Sequence, residues 1–131
     1  MSLSDELLAR PPSLAHVRGI LAGLVSELEA RSAFLVDEDG RPFAALGNVE
    51  FQYPDPLPRT GEWGVSLLKA LLGEPEETVL SICLIHRVGS RALLVVLFHQ
   101  ALAGRRRRRA RGRLKRVAAE ISSYLDTLSA N

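Results

Sequence analysis

The chain has 131 residues, 47% of them hydrophobic, and carries 17 basic against 15 acidic side chains. This length and composition predict one folded domain with a substantial core and exclude a disordered chain. No apolar run reaches the length of a membrane span, the N-terminus lacks a signal-peptide core, and the single Cys83 cannot form an internal disulfide, so we expect a soluble cytoplasmic protein.

The first predicted element is an amphipathic helix that follows a pair of prolines. The stretch "SLAHVRGILAGLVSELEARS" begins at Ser13, which we expect to be the N-cap because Pro11 and Pro12 precede it. Its apolar residues recur at steps of three and four: Leu14, Val17, Leu21, Leu24 and Leu28. We assign residues 1–12 to an N-terminal extension and residues 13–131 to a single domain.

A hairpin is predicted next, in "SAFLVDEDGRPFAALG", because Asp39 and Gly40 form a strong tight-turn pair between two apolar runs. The acids Asp37, Glu38 and Asp39 could suggest a calcium loop. However, an EF-hand that began at Asp37 would need glycine and glutamate at the positions of Pro42 and Asn48. We therefore interpret the acids as part of a solvated turn and predict no metal site.

The middle of the chain is predicted to be a proline-rich loop over residues 48–61 and a short helix from Glu62 to Leu72, ended by Gly73. Apolar side chains occupy nearly the whole circumference of this helix, so a second face must be covered. Trp63 fits either a core position under the loop or an interface anchor. The predicted interface residues are Trp63, Val65, Leu67, Leu68, Leu71 and Leu72.

A second hairpin is predicted in "TVLSICLIHRVGSRALLVVLFHQ", where two apolar runs flank "VGSR". Both alternating faces of these strands are hydrophobic, so we expect the sheet to be covered on both sides. Cys83 and His86 are three positions apart on a strand and therefore point to opposite faces, which excludes a metal pair. His16 and His99 have no acid or nucleophile at a diagnostic spacing.

No phosphate-binding loop of the "GxxxxGK" kind occurs in the chain. We therefore predict no catalytic residues, no cofactor and no nucleotide bound by the chain itself.

The last predicted element is a C-terminal helix with a strongly basic start. Its apolar stripe consists of Ala110, Leu114, Val117, Ala118, Ile121, Leu125 and Leu128. Upstream, "GRRRRRARGRLKR" holds nine basic side chains between Arg105 and Arg116. Extension of the stripe places Arg107 on the buried side, and five consecutive arginines pass more than once around a helix. The run is either part of a projecting helix or a flexible lead-in, and both alternatives expose the charge.

The rest of the chain is acidic. Without the nine basic side chains of the run, eight basic residues would face fifteen acids. No aromatic side chain interleaves the arginines, so nucleic acid is a disfavoured partner, and an acidic protein surface fits at least as well. A patch that only improves solubility is the alternative. The predicted docking residues are Arg105, Arg106, Arg107, Arg108, Arg109, Arg111 and Arg113.

Together these segments resemble the roadblock/dynein-light-chain family, most closely its bacterial MglB-type polarity regulators and their MglC-type adaptor paralogues. "AFLVDEDGRPFAALG" is similar to the first hairpin of the family, "LLKALLGE" to the end of its middle helix, and "VGSRALLVVLF" to its last hairpin. The resemblance covers roughly residues 13–128. It implies an α-β-β-α-β-β(β)-α sandwich, an α/β fold whose antiparallel-rich sheet carries the long terminal helices on one face and the short helix on the other.

The resemblance also implies a function. Family members are homodimers that pair through their middle helices, and MglB-type dimers bind a Ras-like small GTPase, whereas other members bind only sister roadblock dimers. "RTGEWGVS", with bulky Trp63, differs from the Ala-, Gly- and Asn-rich helix start of MglB, and the arginine run is a second departure. Both favour an adaptor. The implied place of action is the cytoplasm, at a cell pole.

Three classes of function therefore remain from the sequence. The first is a non-catalytic interaction module of the roadblock type. The second is a nucleic-acid or anionic-membrane binder that uses Arg105 to Arg116, and the third and weakest is an enzyme, because no convergent catalytic set occurs.

Overall fold

A computed structural model describes residues 2–47 and 83–129. The described elements are three helices, α1 (Leu3–Leu8), α2 (Pro11–Leu28) and α3 (Gly104–Ser129), and four strands, β1 (Ser32–Asp37), β2 (Pro42–Gly47), β3 (Cys83–Val88) and β4 (Ala92–Leu97). The predicted loop 48–61 and the predicted helix with its six interface residues lie outside the described residues. Within the described ranges, no helix is long and apolar enough to cross a membrane.

The two predicted hairpins form one antiparallel sheet. The strand order is β2-β1-β4-β3, so the first strand of one hairpin pairs with the second strand of the other. In this central pair Phe34 lies opposite Val95, and Leu35 lies opposite Leu94. The structure thus confirms both hairpins and the antiparallel sheet.

A β-bulge interrupts the first hairpin. Ala33 pairs with Leu46 while Leu35 pairs with Phe43, so β2 has one more residue than β1 between these two pairs. Ala44 lies in the bulge with a φ of 53°, an uncommon conformation for a residue with a Cβ. The bulge places the adjacent Phe43 and Ala44 in the same core, which strict alternation would prevent.

The helices pack on one face of the sheet, as predicted for the long terminal helices. The core of this face joins α1, α2 and α3 to alternate residues of the central strands, among them Leu35 and Leu94. Side chains on the opposite face are also buried, including Phe34, Val36 and Val95, each 0% exposed. This confirms that both faces of the sheet are covered.

Helix α1 lies in residues 1–12, the segment that the sequence predicts to be an N-terminal extension. Leu3 and Leu7 are buried in the shared core. Ser2 is the N-cap, and its hydroxyl accepts a hydrogen bond from the Asp5 backbone N–H. The Ser2 hydroxyl also donates to the Asp5 carboxylate at 2.7 Å, which lowers the pKa of that group. The missed signal is a capping box over residues 2–5.

Helix α2 begins at Pro11, three residues earlier than an N-cap at Ser13 predicts. Pro11 and Pro12 occupy its first turn, where a missing N–H costs no helical hydrogen bond. Arg10 is the N-cap, and Ser13 is a buried residue inside the helix whose N–H donates to the Arg10 carbonyl at 3.0 Å. The predicted N-cap role of Ser13 is therefore wrong, although the predicted amphipathic helix is confirmed.

Helix α2 ends in a left-handed residue, and this gives a stability prediction. Glu29 has a φ of 52° and a ψ of 42°, a conformation that costs a residue with a Cβ about 1–2 kcal/mol. Its side chain is 82% exposed, and its contact with Arg106 at 3.8 Å stabilises little. We expect Glu29→Gly to raise the free energy of unfolding, measured by urea denaturation, by about 0.5–1 kcal/mol. The gain is smaller than the strain relieved, because glycine loses more conformational entropy on folding than glutamate does.

Glu29→Ala is the matched control for this prediction. It removes the same side chain but keeps the Cβ in the left-handed region, so we expect no gain in stability. Equal effects of the two substitutions would contradict the assignment of strain to Glu29.

Candidate functional site

The arginine run is helical, which answers the question that the sequence left open. Helix α3 begins at Gly104 and continues without a break to Ser129. Ala110 and Leu114 are buried, at 2% and 1% exposure, and they hold this part of the helix on the domain. Arg107 is half-buried, as the extended apolar stripe predicts. Burial of the apolar stripe therefore extends the helix into a segment that its charge disfavours.

Two arginines of the run pair with acids at the end of α2. Arg113 binds the Oε2 atom of Glu27 through Nε at 2.9 Å and through Nη2 at 2.7 Å. Arg106 lies 3.8 Å from Glu29, and both side chains are largely exposed. The first contact joins α2 to α3 with good geometry, whereas the second contributes little.

The remaining exposed cations, without the half-buried Arg107, form a surface that we call the basic face of α3. All of its members are exposed, and none makes an ion pair with another described residue. The surface extends about 17 Å along the helix axis, at 1.5 Å per residue. Its members are Arg105, Arg108, Arg109, Arg111, Lys115 and Arg116.

The acids of the first hairpin serve a structural role at the opposite end of the domain. The Asp37 side chain is fully buried, and its Oδ1 atom accepts hydrogen bonds from the backbone N–H groups of Asp39 and Arg41, both at 2.9 Å. Its Oδ2 atom accepts bonds from the Ser4 hydroxyl and the Ser4 N–H. One carboxylate thus shapes the turn and caps α1, so the predicted solvated turn is wrong at Asp37.

Glu38 and Arg91 complete the attachment of α1. Glu38 accepts a hydrogen bond from the Leu3 N–H, and its Oε2 atom lies 2.6 Å from Arg91 Nε. Arg91 also binds Glu6. The hydrogen bonds that Arg91 donates to Glu38 and to Glu6 raise the pKa of its guanidinium, which stays charged. These contacts join both hairpin turns to α1.

These bonds also bear on the metal alternative. The carboxylates of Asp37, Glu38 and Asp39 can place one oxygen each within 4.8 Å of one another. Both oxygens of Asp37 already accept hydrogen bonds from the protein, and so do both of Glu38. A cation would have to replace these hydrogen-bond donors, so the carboxylates are better explained as the groups that bind α1 to the hairpin turn.

A cleft of about 520 Å³ lies beside α1, between the turn at Ser90 and the C-terminal part of α3. Leu7 and Leu125 contribute to its apolar floor, while Glu6 and Arg91 stand on its rim. The two rim charges bind each other. The cleft therefore offers apolar contact area more than a charged group for a ligand.

Two of the three histidines have structural contacts. The ring of His16 packs against Tyr124 with 4.1 Å between centroids, which joins α2 to α3. His86 Nδ1 lies 2.8 Å from the carbonyl oxygen of Arg87, and His99 is exposed in the segment after β4. Cys83 and His86 stand at odd separation on β3, so they face opposite sides of the sheet as predicted.

Burial makes Cys83 a poor nucleophile, and this can be measured. Desolvation raises the pKa of the Cys83 thiol to about 12. At pH 8 the fraction of Cys83 present as thiolate is then lower than that of a free cysteine by a factor on the order of 10³. We expect native protein to react with a chromogenic disulfide reagent about 10³-fold more slowly than protein unfolded in urea. Equal rates in the two states would show that the thiol is accessible and ionisable in the native fold.

Comparison with known proteins supports the fold. No family model and no curated protein sequence matches the chain. Among solved structures, MglB from Myxococcus xanthus matches with a TM-score of 0.51 and 21% identity, over 88% of this chain and 91% of that chain. A gliding protein MglB from Thermus thermophilus matches with a TM-score of 0.40 and 21% identity, over 82% and 92% of the two chains. The strand order, the helices on one face and the Myxococcus match together show that the chain has the MglB roadblock fold.

Proposed function

We propose that the chain is a non-catalytic, homodimeric roadblock-type regulator or adaptor in a bacterial polarity or motility system. It acts by contact with a Ras-like small GTPase, with a sister roadblock dimer, or with both. The observation that carries the proposal is the fold likeness to Myxococcus MglB, which extends over nearly the whole of both chains. Because one fold serves many functions, binding experiments must decide it.

The chemistry of the described residues favours action by contact. His16 is engaged with Tyr124, and the Cys83 thiol is buried with a raised pKa. The acids Asp37 and Glu38, which could otherwise activate a nucleophile, are bound to α1 and Arg91. These groups stabilise the domain, so any effect on GTP hydrolysis would come from the way the chain reshapes a partner.

The proposed dimer interface is the predicted helix from Glu62 to Leu72. Its two-sided apolar pattern is what a helix needs when it packs on its own sheet and on a second copy. Trp63 and Leu68 are the residues that we expect to contribute most, because large apolar side chains dominate buried interfaces.

Pull-down of the native chain tests the partner. The candidates are a Ras-like GTPase encoded near this protein, loaded with GDP or with a GTP analogue, and roadblock paralogues of the same genome. Retention of the GTPase in one nucleotide state supports a regulator, and retention of a paralogue alone supports an adaptor. Failure to retain any of them would contradict the proposal.

A second candidate function rests on the six cations of the basic face of α3: binding of nucleic acid or an anionic membrane. A polyanion binder would show a steep fall of affinity with salt, set by the number of phosphates neutralised. Binding of duplex DNA at physiological salt, without binding of any GTPase or paralogue, would favour this alternative.

A further inference from the structure

We propose that the basic face of α3 binds an acidic segment of a partner protein, with carboxylates spaced to follow one helix face. The proposal deepens the proposed function, since it assumes that the chain acts by protein contact, and it names the chemistry of the partner.

The spacing of the cations is the first support. Arg105 and Arg108 are three positions apart, Lys115 and Arg116 follow two turns later, and this places all four on the solvent side of one helix. A partner helix or extended segment that lies along α3 meets these cations in succession. Arginine can bind a carboxylate through two parallel hydrogen bonds, so such a row can give alignment as well as attraction.

Contacts within the described part of the chain do not explain the basic face. The first turn of α3 contains no acid, and its cations oppose the helix dipole. Among the residues that the structure describes, Arg106 and Arg113 are the cations of the run that pair with acids at the end of α2. The six cations of the basic face are exposed and contribute no buried area to the core. A function outside the domain therefore accounts for them better than stability does.

Gly112 is a second feature that folding leaves unexplained. It is exposed in the middle of the basic face, where glycine costs a helix about 1 kcal/mol. A Cβ built at this position would meet no atom within 4 Å, so the domain itself does not require glycine. The missing side chain lets a partner backbone approach α3 closely between the cations on either side.

Acidic side chains near the basic face favour a single polypeptide segment as the partner over a broad anionic surface. Glu27 and Glu29 lie on the α2 side, and Glu120 and Asp126 follow on exposed positions of α3. A membrane surface or a DNA duplex would meet these acids together with the arginines. A single acidic segment can lie on the cations alone, so charge complementarity favours a polypeptide.

The test is a fluorescence-anisotropy titration with a defined probe. The probe is a labelled peptide of about 16 residues, or about 24 Å as a helix, with glutamate at half of its positions and alanine at the others. A peptide with glutamine in place of glutamate controls for non-electrostatic binding. Titrations at about 0.1 M and about 1 M salt compare screening lengths of about 10 Å and about 3 Å.

Two charge-matched variants accompany the native protein. One carries Arg105→Gln, Arg108→Gln and Arg109→Gln in the basic face. The other loses the same charge through substitution to glutamine of three exposed arginines elsewhere, namely Arg10, Arg18 and Arg31. Each should keep the native unfolding midpoint, because the substituted side chains lie outside the core.

We expect the native chain to bind the glutamate peptide at low salt and to lose most of the affinity at high salt. The variant in the basic face should bind about tenfold more weakly, whereas the control variant should stay within about twofold of native. An equal loss in both variants would overturn the proposal, because net charge alone would then explain binding. Tighter binding of duplex DNA or of anionic phospholipid vesicles would overturn it as well.

The experiment separates this proposal from the proposed function. A dimer that binds a GTPase or a paralogue but ignores the peptide refutes only the docking proposal. A monomer that binds the peptide through the basic face refutes only the roadblock dimer.

Discussion

Asp37→Ala is expected to lower the free energy of unfolding by about 2–4 kcal/mol. The carboxylate is fully buried and accepts bonds from Asp39 N–H, Arg41 N–H, Ser4 N–H and the Ser4 hydroxyl. Alanine leaves all these donors without their acceptor, and the donors belong both to the hairpin turn and to the start of α1. Urea denaturation at constant pH measures the loss.

Two further variants divide this effect. Ser4→Ala removes only the hydroxyl donor and should cost about 1 kcal/mol, since the remaining bonds to Asp37 persist. Arg41→Ala should cost less, because its side chain is exposed and its backbone N–H remains. If Asp37→Ala lowered the free energy of unfolding by less than about 0.5 kcal/mol, water would be replacing the carboxylate as the acceptor. The Asp37 carboxylate would then not be what holds α1 on the domain.

Leu68→Glu is expected to convert the proposed dimer into a monomer or an unfolded chain. Leu68 lies near the centre of the predicted helix from Glu62 to Leu72, where an unpaired buried charge costs several kcal/mol. Light scattering gives the mass of the variant, and circular dichroism shows whether it is folded. A folded monomer would locate the interface on this helix.

Leu8→Glu is the matched control, with the same change of residue on α1. Leu8 is 61% exposed, so its substitution should leave both mass and stability nearly unchanged. If Leu68→Glu remained a folded dimer, the helix from Glu62 to Leu72 would not form the interface.

The hairpins could be predicted because their signals are local. Asp39 and Gly40 mark the first turn, and the two continuous apolar runs of the second hairpin predict strands covered on both faces. The bulge at Ala44 could not be predicted, because alanine has no preference for a positive φ. Its conformation is set by the pairing of Leu35 with Phe43.

Helix α1 escaped prediction for a different reason. Six residues are too few for a stable helix by themselves, and the bonds that hold it come from Asp37 and Glu38, more than thirty positions away. The capping pattern at Ser2 is visible in the sequence. The residues that accept hydrogen bonds from the Leu3 and Ser4 N–H groups, Glu38 and Asp37, become apparent only in the fold. The N-terminal segment therefore looked like an extension.

The basic start of α3 shows how tertiary packing can overrule local electrostatics. Cations at a helix start and Gly112 both disfavour a helix, so the sequence is also compatible with a flexible segment before the helix. Burial of Ala110 and Leu114, together with the bond from Arg113 to Glu27, fixes the helical alternative.

The mass of the native protein in solution tests the roadblock account most directly. Light scattering coupled to size exclusion, at tens of micromolar protein, is expected to give twice the chain mass of 14.3 kDa. The dimer should persist at about 1 M salt, because apolar contacts are screened little by ions. A clean monomer under these conditions would contradict the proposed homodimer and, with it, the account of the predicted helix from Glu62 to Leu72.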